Sequence, residues 1–384
     1  MVRVVVTGIG LVSALGNSLE DSWQNLLSGT TGVKLHQPFP ELLKIPLGLI
    51  GDKPSDLSTL TKMVVNSALE DAKLVAPLVD CAVVVGSSRG YQGSWEKLAR
   101  QMYGKDTLEL SLKLEDWLYT LPQMNALAVA REIGATGMVL APMAACATGI
   151  WAIAQAVMLI QTGQCQRVIA GAVEAPITPL TICGFQQMGA LAATGAYPFD
   201  LHREGLVLGE GGAVFVLESA DLAKQRQTKP ENIYGEILGF GLTADAFHGY
   251  QPEPEGKGAI TAIQQCLKRS RLRPADIDYI HAHGTGTLLN DRIESKIIQH
   301  LFPPTVAISS TKGSSGHTLG ASAALGVAFA LMSIRYQTLP ACVGLQEPEF
   351  DLNFVTTAKE TKISQILCSS FGFGGQNAVI ALSK

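Results

Sequence analysis

The sequence has little charge and no clustered cysteines. Asp, Glu, Lys and Arg make up 16% of its 384 residues, whereas hydrophobic residues make up 47%. The net charge is −4 and no Lys/Arg cluster is present, so nothing indicates a nucleic-acid partner. The seven cysteines are dispersed and include no Cys-x-x-Cys pair, which argues against a disulfide framework and against a zinc site. A reducing compartment fits best, and we expect a cytoplasmic protein.

One uncharged stretch resembles a membrane span by length alone. No charged residue lies between Glu132 and Arg167. Gly134, Gly137, Pro142 and Gly149 interrupt the stretch, and its apolar residues are mostly small, so we predict a buried strand, a sharp turn and a buried helix instead. The sequence opens directly on a strand pattern without the features of a signal peptide. We therefore expect no association with a membrane.

The predicted strands are continuous apolar runs separated by helical stretches. Such runs lack polar/apolar alternation, which indicates sheets covered on both faces and hence an α/β fold. The clearest runs are Cys81–Val85, 138–141, 167–172, 213–217, 277–281, 306–309 and 378–382.

A weak internal repeat divides the sequence into two halves. Residues 69–86 and 267–284 both read as helix, loop, strand and glycine. A later strand in each half leads into a helix of small residues, at 147–160 and around 319–334. We predict that these two helices pack closely together between two sheets. The predicted halves are residues 1–230 and 231–384, joined near a polar connection at 225–235.

Cys146 is the first candidate for a reactive group. It follows an apolar strand and stands at the start of a helix, in Met143-Ala-Ala-Cys-Ala-Thr-Gly149. Backbone N–H groups and the positive end of the helix dipole favour a thiolate at this position. The alternative is a buried structural cysteine, the commoner case for a cysteine taken alone.

Two histidines follow predicted strands at glycine-rich positions. His283 lies in His281-Ala-His-Gly-Thr-Gly-Thr, and His317 lies at the mouth of the second small-residue helix, where the repeat brings it opposite Cys146. No carboxylate stands at ligand spacing in these loops, so we expect no metal. From their context alone, Lys312 also fits a solvated lysine, and Asp291 and Glu294 also fit an ordinary helix start.

Two glycine-rich segments imitate nucleotide-binding motifs. Gly8-Ile-Gly-Leu-Val-Ser13 lacks the third glycine and the acidic residue of a dinucleotide fingerprint, and we expect a tight strand-to-helix turn there. Phe371-Gly-Phe-Gly-Gly-Gln-Asn377 lacks the Gly-Lys-Ser/Thr ending of a P-loop. It places flexible backbone and a phenylalanine near the end of a strand.

Six motifs occur in one order along essentially the whole sequence. They are Val4-Val-Val-Thr-Gly-Ile-Gly, Ala145-Cys-Ala-Thr-Gly, Pro198-Phe-Asp with Arg203 and Gly205, Ala282-His-Gly-Thr-Gly-Thr, Ser310-Thr-Lys with Gly316-His, and Phe371-Gly-Phe-Gly-Gly. Together they resemble the type II β-ketoacyl-acyl-carrier-protein synthases, the condensing enzymes of fatty acid and polyketide synthesis. The resemblance implies a thiolase fold with duplicated α/β halves in five αβαβα layers, usually as a homodimer.

The resemblance also implies a mechanism and the residues that perform it. Cys146 would accept an acyl chain as a thioester, and malonyl-acyl-carrier protein would then lose carbon dioxide and attack that thioester. No cofactor is implied beyond the phosphopantetheine of acyl-carrier protein, which carries the substrates. The implied residues are His283 and His317 for decarboxylation, Lys312 for support, the N–H groups of Cys146 and Phe373 as oxyanion hole with Phe373 as gate, Thr285 and Thr287 for the pantetheine arm, and Asp291 with Glu294 as a structural acidic pair.

Departures from the family pattern leave a second interpretation open. Tyr250 stands where the family more often has a small hydroxyl residue, and residues 35–65 look short and lack a basic run. These departures concern carrier docking and the entry to the pocket. The alternative function is a non-catalytic partner of another synthase, similar to a chain-length factor. Such partners lack the nucleophile that Cys146 supplies here.

Overall fold

The computed structural model describes residues 2–103 and 117–384. Its strands are β1 (Val4–Ser13), β2 (Lys34–His36), β3 (Ile45–Gly48), β4 (Cys81–Gly86), β5 (Val139–Leu140), β6 (Arg167–Glu174), β7 (Leu208–Gly209), β8 (Gly211–Ser219), β9 (Gly235–Ala244), β10 (Tyr279–His281), β11 (Ala307–Ser309), β12 (Thr338–Leu339), β13 (Lys359–Glu360), β14 (Gln365–Gly372) and β15 (Gln376–Ser383). Its helices are α1 (Leu19–Leu27), α2 (Leu57–Asp71), α3 (Gln92–Tyr103), α4 (Met124–Ile133), α5 (Thr148–Gln161), α6 (Pro179–Gln187), α7 (Ala220–Gln225), α8 (Lys257–Ser270), α9 (Leu288–Leu301), α10 (Lys312–Ser315) and α11 (Ser322–Tyr336).

The sheet shows the duplication directly. Ten strands are hydrogen-bonded in the order β11-β10-β14-β15-β9-β1-β8-β6-β4-β5. When the five strands of each half are numbered along the sequence, both halves have the same order, 3-2-4-5-1. Both halves also share the same strand directions. Strand 5 is antiparallel to strands 1 and 4, whereas strand 2 is parallel to strands 4 and 3. The two predicted sheets are joined into one, because residues 4–6 of β1 pair with 235–237 of β9.

Helices cover both faces of each half, which gives the predicted five layers. One outer core lies between the N-terminal half of the sheet and helices α2 and α4. The central core contains α5 and α11, which are packed between the two halves of the sheet. The other outer core lies between the C-terminal half and helices α8 and α9. The α/β prediction is confirmed, because both faces of the sheet are buried.

The two central helices approach each other closely because their residues are small. At Gly149 an added Cβ would lie 2.4 Å from the backbone nitrogen of Ala324 on α11. That distance is shorter than any real Cβ contact, so only glycine permits the approach. The predicted packing of the small-residue helices is therefore confirmed.

Only one helix in the described part of the chain is long and apolar enough to cross a membrane by length and composition. It spans Leu319–Tyr336, and 89% of that segment is buried inside the protein, as expected of a core helix. The uncharged stretch from Glu132 to Arg167 forms the end of α4, β5, a sharp turn and α5, in agreement with the prediction.

The first glycine motif differs from its prediction. Strand β1 continues through it to Ser13, and α1 begins only at Leu19 with Ser18 as N-cap. The glycines are needed for close packing on α2, because a Cβ at Gly10 would lie 1.8 Å from the carbonyl oxygen of Val64. The expected strand-to-helix turn at the motif is therefore wrong.

The contact between the central helices predicts a clear effect on stability. We expect Gly149→Ala to lower the free energy of unfolding by about 1 to 3 kcal/mol, because the new methyl group meets backbone rather than a side chain that can move. Chemical denaturation monitored by circular dichroism measures the change.

Gly184→Ala is the matched control. Gly184 also lies in a helix, but an added Cβ there would meet nothing within 4 Å. The control is expected to stabilise the protein by roughly 0.5 to 1 kcal/mol. Equal effects of the two substitutions would contradict the role given to the helix contact.

Candidate active site

Cys146 lies on a sharp turn between β5 and α5. Ala145 has a φ of +46°, a left-handed conformation that is rare for a residue with a side chain. The turn is held from the other half of the molecule, because the Ser370 hydroxyl donates to the carbonyl of Cys146 at 2.9 Å. The side chain thereby lies at the amino-terminal end of α5, and it is buried.

His283 and His317 both face Cys146. The Cys146 sulfur and one ring nitrogen of each histidine lie within 4.8 Å of one another. The two imidazole rings are 5.4 Å apart and nearly perpendicular. All three side chains are buried. The sequence predicted that His317 lies opposite Cys146, and the structure brings all three together.

A backbone hydrogen bond fixes the tautomer of His317. The N–H of Leu319 donates to Nδ1 of His317 at 3.1 Å. A neutral His317 must therefore carry its proton on Nε2, which makes Nε2 a hydrogen-bond donor. Leu319 has a φ of +42°, so this donor depends on an unusual backbone conformation.

Lys312 is the buried cation of the site and not a solvated lysine. Its ammonium group donates to the backbone carbonyl of His283. Burial lowers the pKa of Lys312 to about 8, although Glu294 acts in the opposite direction. Burial and the nearby Lys312 charge hold the pKa of His283 and of His317 well below the usual value. Both imidazoles are therefore neutral at pH 7.

Asp291 and Glu294 hold the loop that carries His283. Glu294 accepts from the backbone N–H groups of His283 and Gly284, both at 2.7 Å. Asp291 accepts from the N–H groups of Thr285 at 3.0 Å and Gly286 at 3.1 Å. Two buried carboxylates thus replace the hydrogen bonds that a regular strand would give this loop. A structural role for the acidic pair follows from these contacts.

Phe373 lies beside the sulfur of Cys146. Its backbone N–H acts on the thiol, and its ring packs against Phe185 at 5.7 Å between centroids. The neighbouring Gly372 permits the approach, since a Cβ there would lie 3.0 Å from the backbone nitrogen of Cys146. The backbone of residues 372–373 therefore lies close both to the sulfur and to the backbone N–H of Cys146, as an oxyanion hole requires.

The protonation state predicted for Cys146 is wrong for the unliganded protein. Burial raises the pKa of the thiol to about 11, although Lys312, the N–H of Phe373 and Arg89 each act to lower it. The cost of removing water from the thiolate outweighs the stabilisation that the start of the helix gives it, so the resting group is a thiol.

A cavity of about 280 Å³ connects these groups to the surface. Thr285 and Thr287 line it, and their hydroxyls are 2.9 Å apart. Tyr250 stands at the rim with 48% of its surface exposed. An elongated substrate could therefore reach Cys146 past two hydroxyl groups.

The three reactive groups also satisfy the distances for a metal ion. Within residues 2–103 and 117–384 they form the only such group of Cys, His, Asp and Glu side chains. The ammonium group of Lys312 next to His283 disfavours a second cation there. The expected absence of a metal stays a prediction.

Sequence reasoning missed Glu174 and Ser370. Ser370 fixes Cys146, and Glu174 is a buried carboxylate that accepts from the N–H of Gly320, close to His317. A signal for Glu174 was present, because a lone acidic residue ends the apolar run of β6.

Family comparisons match most of the sequence. The family model "Beta-ketoacyl synthase, N-terminal domain" matches residues 1–56 and 53–223. The model "Beta-ketoacyl synthase, C-terminal domain" matches residues 234–346. The N-terminal model thus matches in two segments that meet at residues 53–56, inside the region 35–65 that looks short.

Similar proteins cover the chain from end to end. The 3-oxoacyl-[acyl-carrier-protein] synthase 2 of Coxiella burnetii is 34% identical over 419 aligned positions, which cover 100% of this chain and 98% of the relative. The protein of the same name from Staphylococcus aureus strain MRSA252 is 32% identical, with 100% and 98% covered. Among solved structures, a type II polyketide ketosynthase in complex with its acyl-carrier protein has a TM-score of 0.93 at 28% identity, with 100% of this chain and 99% of that chain covered. A β-ketoacyl synthase from Burkholderia phymatum has a TM-score of 0.91 at 25% identity, with 100% of both chains covered.

The electrostatics of Cys146 predict how fast it reacts with iodoacetamide. We expect the alkylation rate to rise with pH towards about 11, because only the thiolate reacts. Lys312→Met should slow the reaction, because the ammonium charge favours the thiolate and its loss raises the pKa of the thiol. The pKa of Lys312 is about 8, so the difference should be largest below pH 8 and fade above it.

Peptide mass spectrometry separates Cys146 from the other cysteines. Cys183 is partly exposed and serves as the internal control, whose labelling should not change in the variant. An equal or faster reaction of Cys146 in Lys312→Met would contradict the role of the lysine charge.

Proposed function

Because the chain belongs to the β-ketoacyl synthase family, we propose that it is a 3-oxoacyl-[acyl-carrier-protein] synthase, which condenses an acyl thioester with malonyl-acyl-carrier protein. The observation that supports this function best is the close approach of Cys146, His283 and His317 inside one cavity. The whole-length relatives and the polyketide ketosynthase solved with its carrier protein support acyl-carrier protein as the partner.

The first half-reaction transfers the acyl group to Cys146. The sulfur bonds to the carbonyl carbon of the incoming thioester, and the N–H groups of Cys146 and Phe373 stabilise the oxyanion. The intermediate collapses, the bond to the carrier sulfur breaks, and the pantetheine thiol leaves with a proton. With the pKa of the Cys146 thiol near 11, deprotonation accompanies attack. The Phe373 backbone lies beside the sulfur, as this role requires.

The second half-reaction breaks one carbon–carbon bond and forms another. The malonyl carboxylate leaves as carbon dioxide, and its electron pair forms an enolate at the thioester. Neutral His283 and His317 donate hydrogen bonds to the enolate oxygen, for which Nε2 of His317 already carries the proton. The enolate carbon attacks the acyl carbon, the bond to sulfur breaks, and the departing Cys146 thiolate takes a proton from solvent, to which the cavity is open. No electrons are gained or lost overall, so we expect no redox cofactor.

Lys312, the two threonines and the acidic pair support these steps. Lys312 donates to the carbonyl of His283. Burial, with the Lys312 charge adding to it, lowers the pKa of both histidines, so that they donate hydrogen bonds as neutral imidazoles. Thr285 and Thr287 line the cavity on the path to Cys146 and suit hydrogen bonds to the pantetheine arm. Tyr250 stands at the entrance and narrows it.

The alternative of a non-catalytic partner is not favoured. Such a partner would have no need for a buried cysteine that faces two histidines, one with its tautomer fixed by the N–H of Leu319 and the other on a loop held by Glu294. Similar structures do include a ketosynthase from Xenorhabdus doucetiae in complex with its chain length factor, with a TM-score of 0.84 at 26% identity. Here the complete set of reactive groups supports the catalytic member of such a pair.

Acylation and decarboxylation test the function separately. After incubation with an acyl-acyl-carrier protein, mass spectrometry should find the acyl group on Cys146, and Cys146→Ala should carry none. Malonyl-acyl-carrier protein should be decarboxylated by the protein, and His317→Ala should slow this by about 100-fold or more, because general acid–base and hydrogen-bonding groups contribute effects of this order. No adduct on Cys146, or decarboxylation that does not depend on His317, would contradict the proposal.

The exposed edge of the sheet supports a homodimer. β5 is the terminal strand of the sheet, so one of its sides has no neighbouring strand among residues 2–103 and 117–384. Met138 and Met143 flank it with 47% and 56% of their surfaces exposed. An apolar strand edge of this kind is suited to pairing with a second copy of the chain.

We expect light scattering after gel filtration to give twice the 40.7 kDa of one chain. The double variant Met138→Lys and Met143→Lys should shift the mass towards the monomer, because two charges would then be buried at the contact. Met63→Lys is the control, since Met63 is 37% exposed on α2, away from that edge. A monomeric wild-type protein would refute the dimer.

A further inference from the structure

Glu174 is a fully buried carboxylate outside the set of residues that the mechanism uses. It ends β6 with 0% of its surface exposed. It accepts hydrogen bonds from the hydroxyls of Ser87 and Ser88, both at 2.6 Å, and from the N–H groups of Ser88 at 2.7 Å and Arg89 at 3.0 Å. Such a carboxylate is expensive to bury, so a dense set of donors has to surround it.

One further donor comes from the other half of the molecule. The N–H of Gly320 donates to Glu174 at 3.0 Å and to the Ser88 hydroxyl at 3.2 Å. Glycine is needed at this position, because a Cβ would lie 2.4 Å from Oε2 of Glu174. The contact therefore connects β6 of the N-terminal half closely with the segment that leads into α11.

The same join occurs in reverse on the other side of the site. β14 is the counterpart of β6, and its Ser370 donates to the carbonyl of Cys146 at 2.9 Å. In each half, a residue of the fourth strand thus forms a hydrogen bond with the segment at the start of the other half's central helix. Ser370 forms this hydrogen bond with Cys146, and Glu174 forms it with the segment that contains His317.

The join at Gly320 lies one residue from the donor that fixes His317. Leu319 donates its N–H to Nδ1 of His317, and it does so with a φ of +42°. If Gly320 moved, the peptide groups on either side of it would turn, and Leu319 would relax towards an ordinary conformation. His317 would then lose the partner that keeps its proton on Nε2.

We propose that Glu174 is a positioning residue for decarboxylation, which holds the 317–320 segment so that Nε2–H of His317 points into the Cys146 cavity. The inference rests on the proposed function, because it concerns the step that His317 assists. It predicts that Glu174 affects the two half-reactions unequally. Acylation depends on Cys146 and Phe373. The Glu174 charge acts on Cys146 only by raising the pKa of the thiol, so its loss should not slow acylation, whereas decarboxylation should slow.

Glu174→Gln tests this with little change of shape. We expect its decarboxylation kcat to fall by roughly 10- to 100-fold, the size of effect that small misplacements of catalytic groups produce. The KM for malonyl-acyl-carrier protein should stay within about 3-fold of wild type, and the rate of Cys146 acylation should not fall by more than about 3-fold. Equal losses in both half-reactions would indicate general structural damage and overturn the proposal.

A double-mutant cycle with His317→Ala gives the sharper readout. If Glu174 acts through His317, Glu174→Gln should slow decarboxylation no further once His317 is absent. An additive loss in the double variant would overturn the proposal. A wild-type protein with no decarboxylation would instead refute the proposed function itself, so the two failures are distinguishable.

Two more variants guard against misfolding. Ser88→Ala removes one donor to Glu174 and one acceptor from Gly320 at a half-buried position, and should show the same imbalance at smaller size. Glu218→Gln is the matched control, because Glu218 is also 0% exposed but contacts Thr7, Arg167 and Arg226 instead. The control should lower stability without changing the ratio of the two half-reactions, and a changed ratio would count against the proposal.

Discussion

The contact between the two central helices sets the distance across the site. Gly149 and Ala324 allow α5 and α11 to approach until their backbones nearly touch. Cys146 precedes one of these helices and His317 precedes the other. A wider spacing would separate the sulfur from the imidazoles, which now lie within 4.8 Å. The reactive groups meet because small residues, and not large ones, fill the centre of the molecule.

Most of the fold and the reactive centre could be predicted from the sequence. The repeat of residues 69–86 at 267–284 has its counterpart in the identical strand order of the halves, and the small residues of α5 foretold the close helix contact. β9 and β14 were harder to recognise, because glycines and serines interrupt their apolar pattern. Cys146, His283 and His317 were identified from their places at strand and helix ends.

What could not be predicted depends on burial and on contacts across the halves. A helix start suggests a thiolate at Cys146, but complete burial reverses the balance and keeps the resting group a thiol. Similarly, Lys312 reads as a surface lysine until the surrounding core is present. Glu174 accepts a hydrogen bond from Gly320, which is 146 residues away in the sequence, and no local sequence pattern predicts such a contact. Local sequence encodes which groups are present, whereas their charge states emerge only from the packed structure.

The structure divides into a centre that follows the family pattern and an entrance that departs from it. Around Cys146, hydrogen bonds fix the turn of the nucleophile, the ring of His317 and the loop that carries His283. At the rim, Tyr250 stands exposed beside the cavity. Carbon–carbon bond formation tolerates little displacement of the reacting groups, whereas an entrance has only to admit the right carrier and chain. Differences in substrate between this protein and its relatives should therefore arise at the entrance and not at the cysteine.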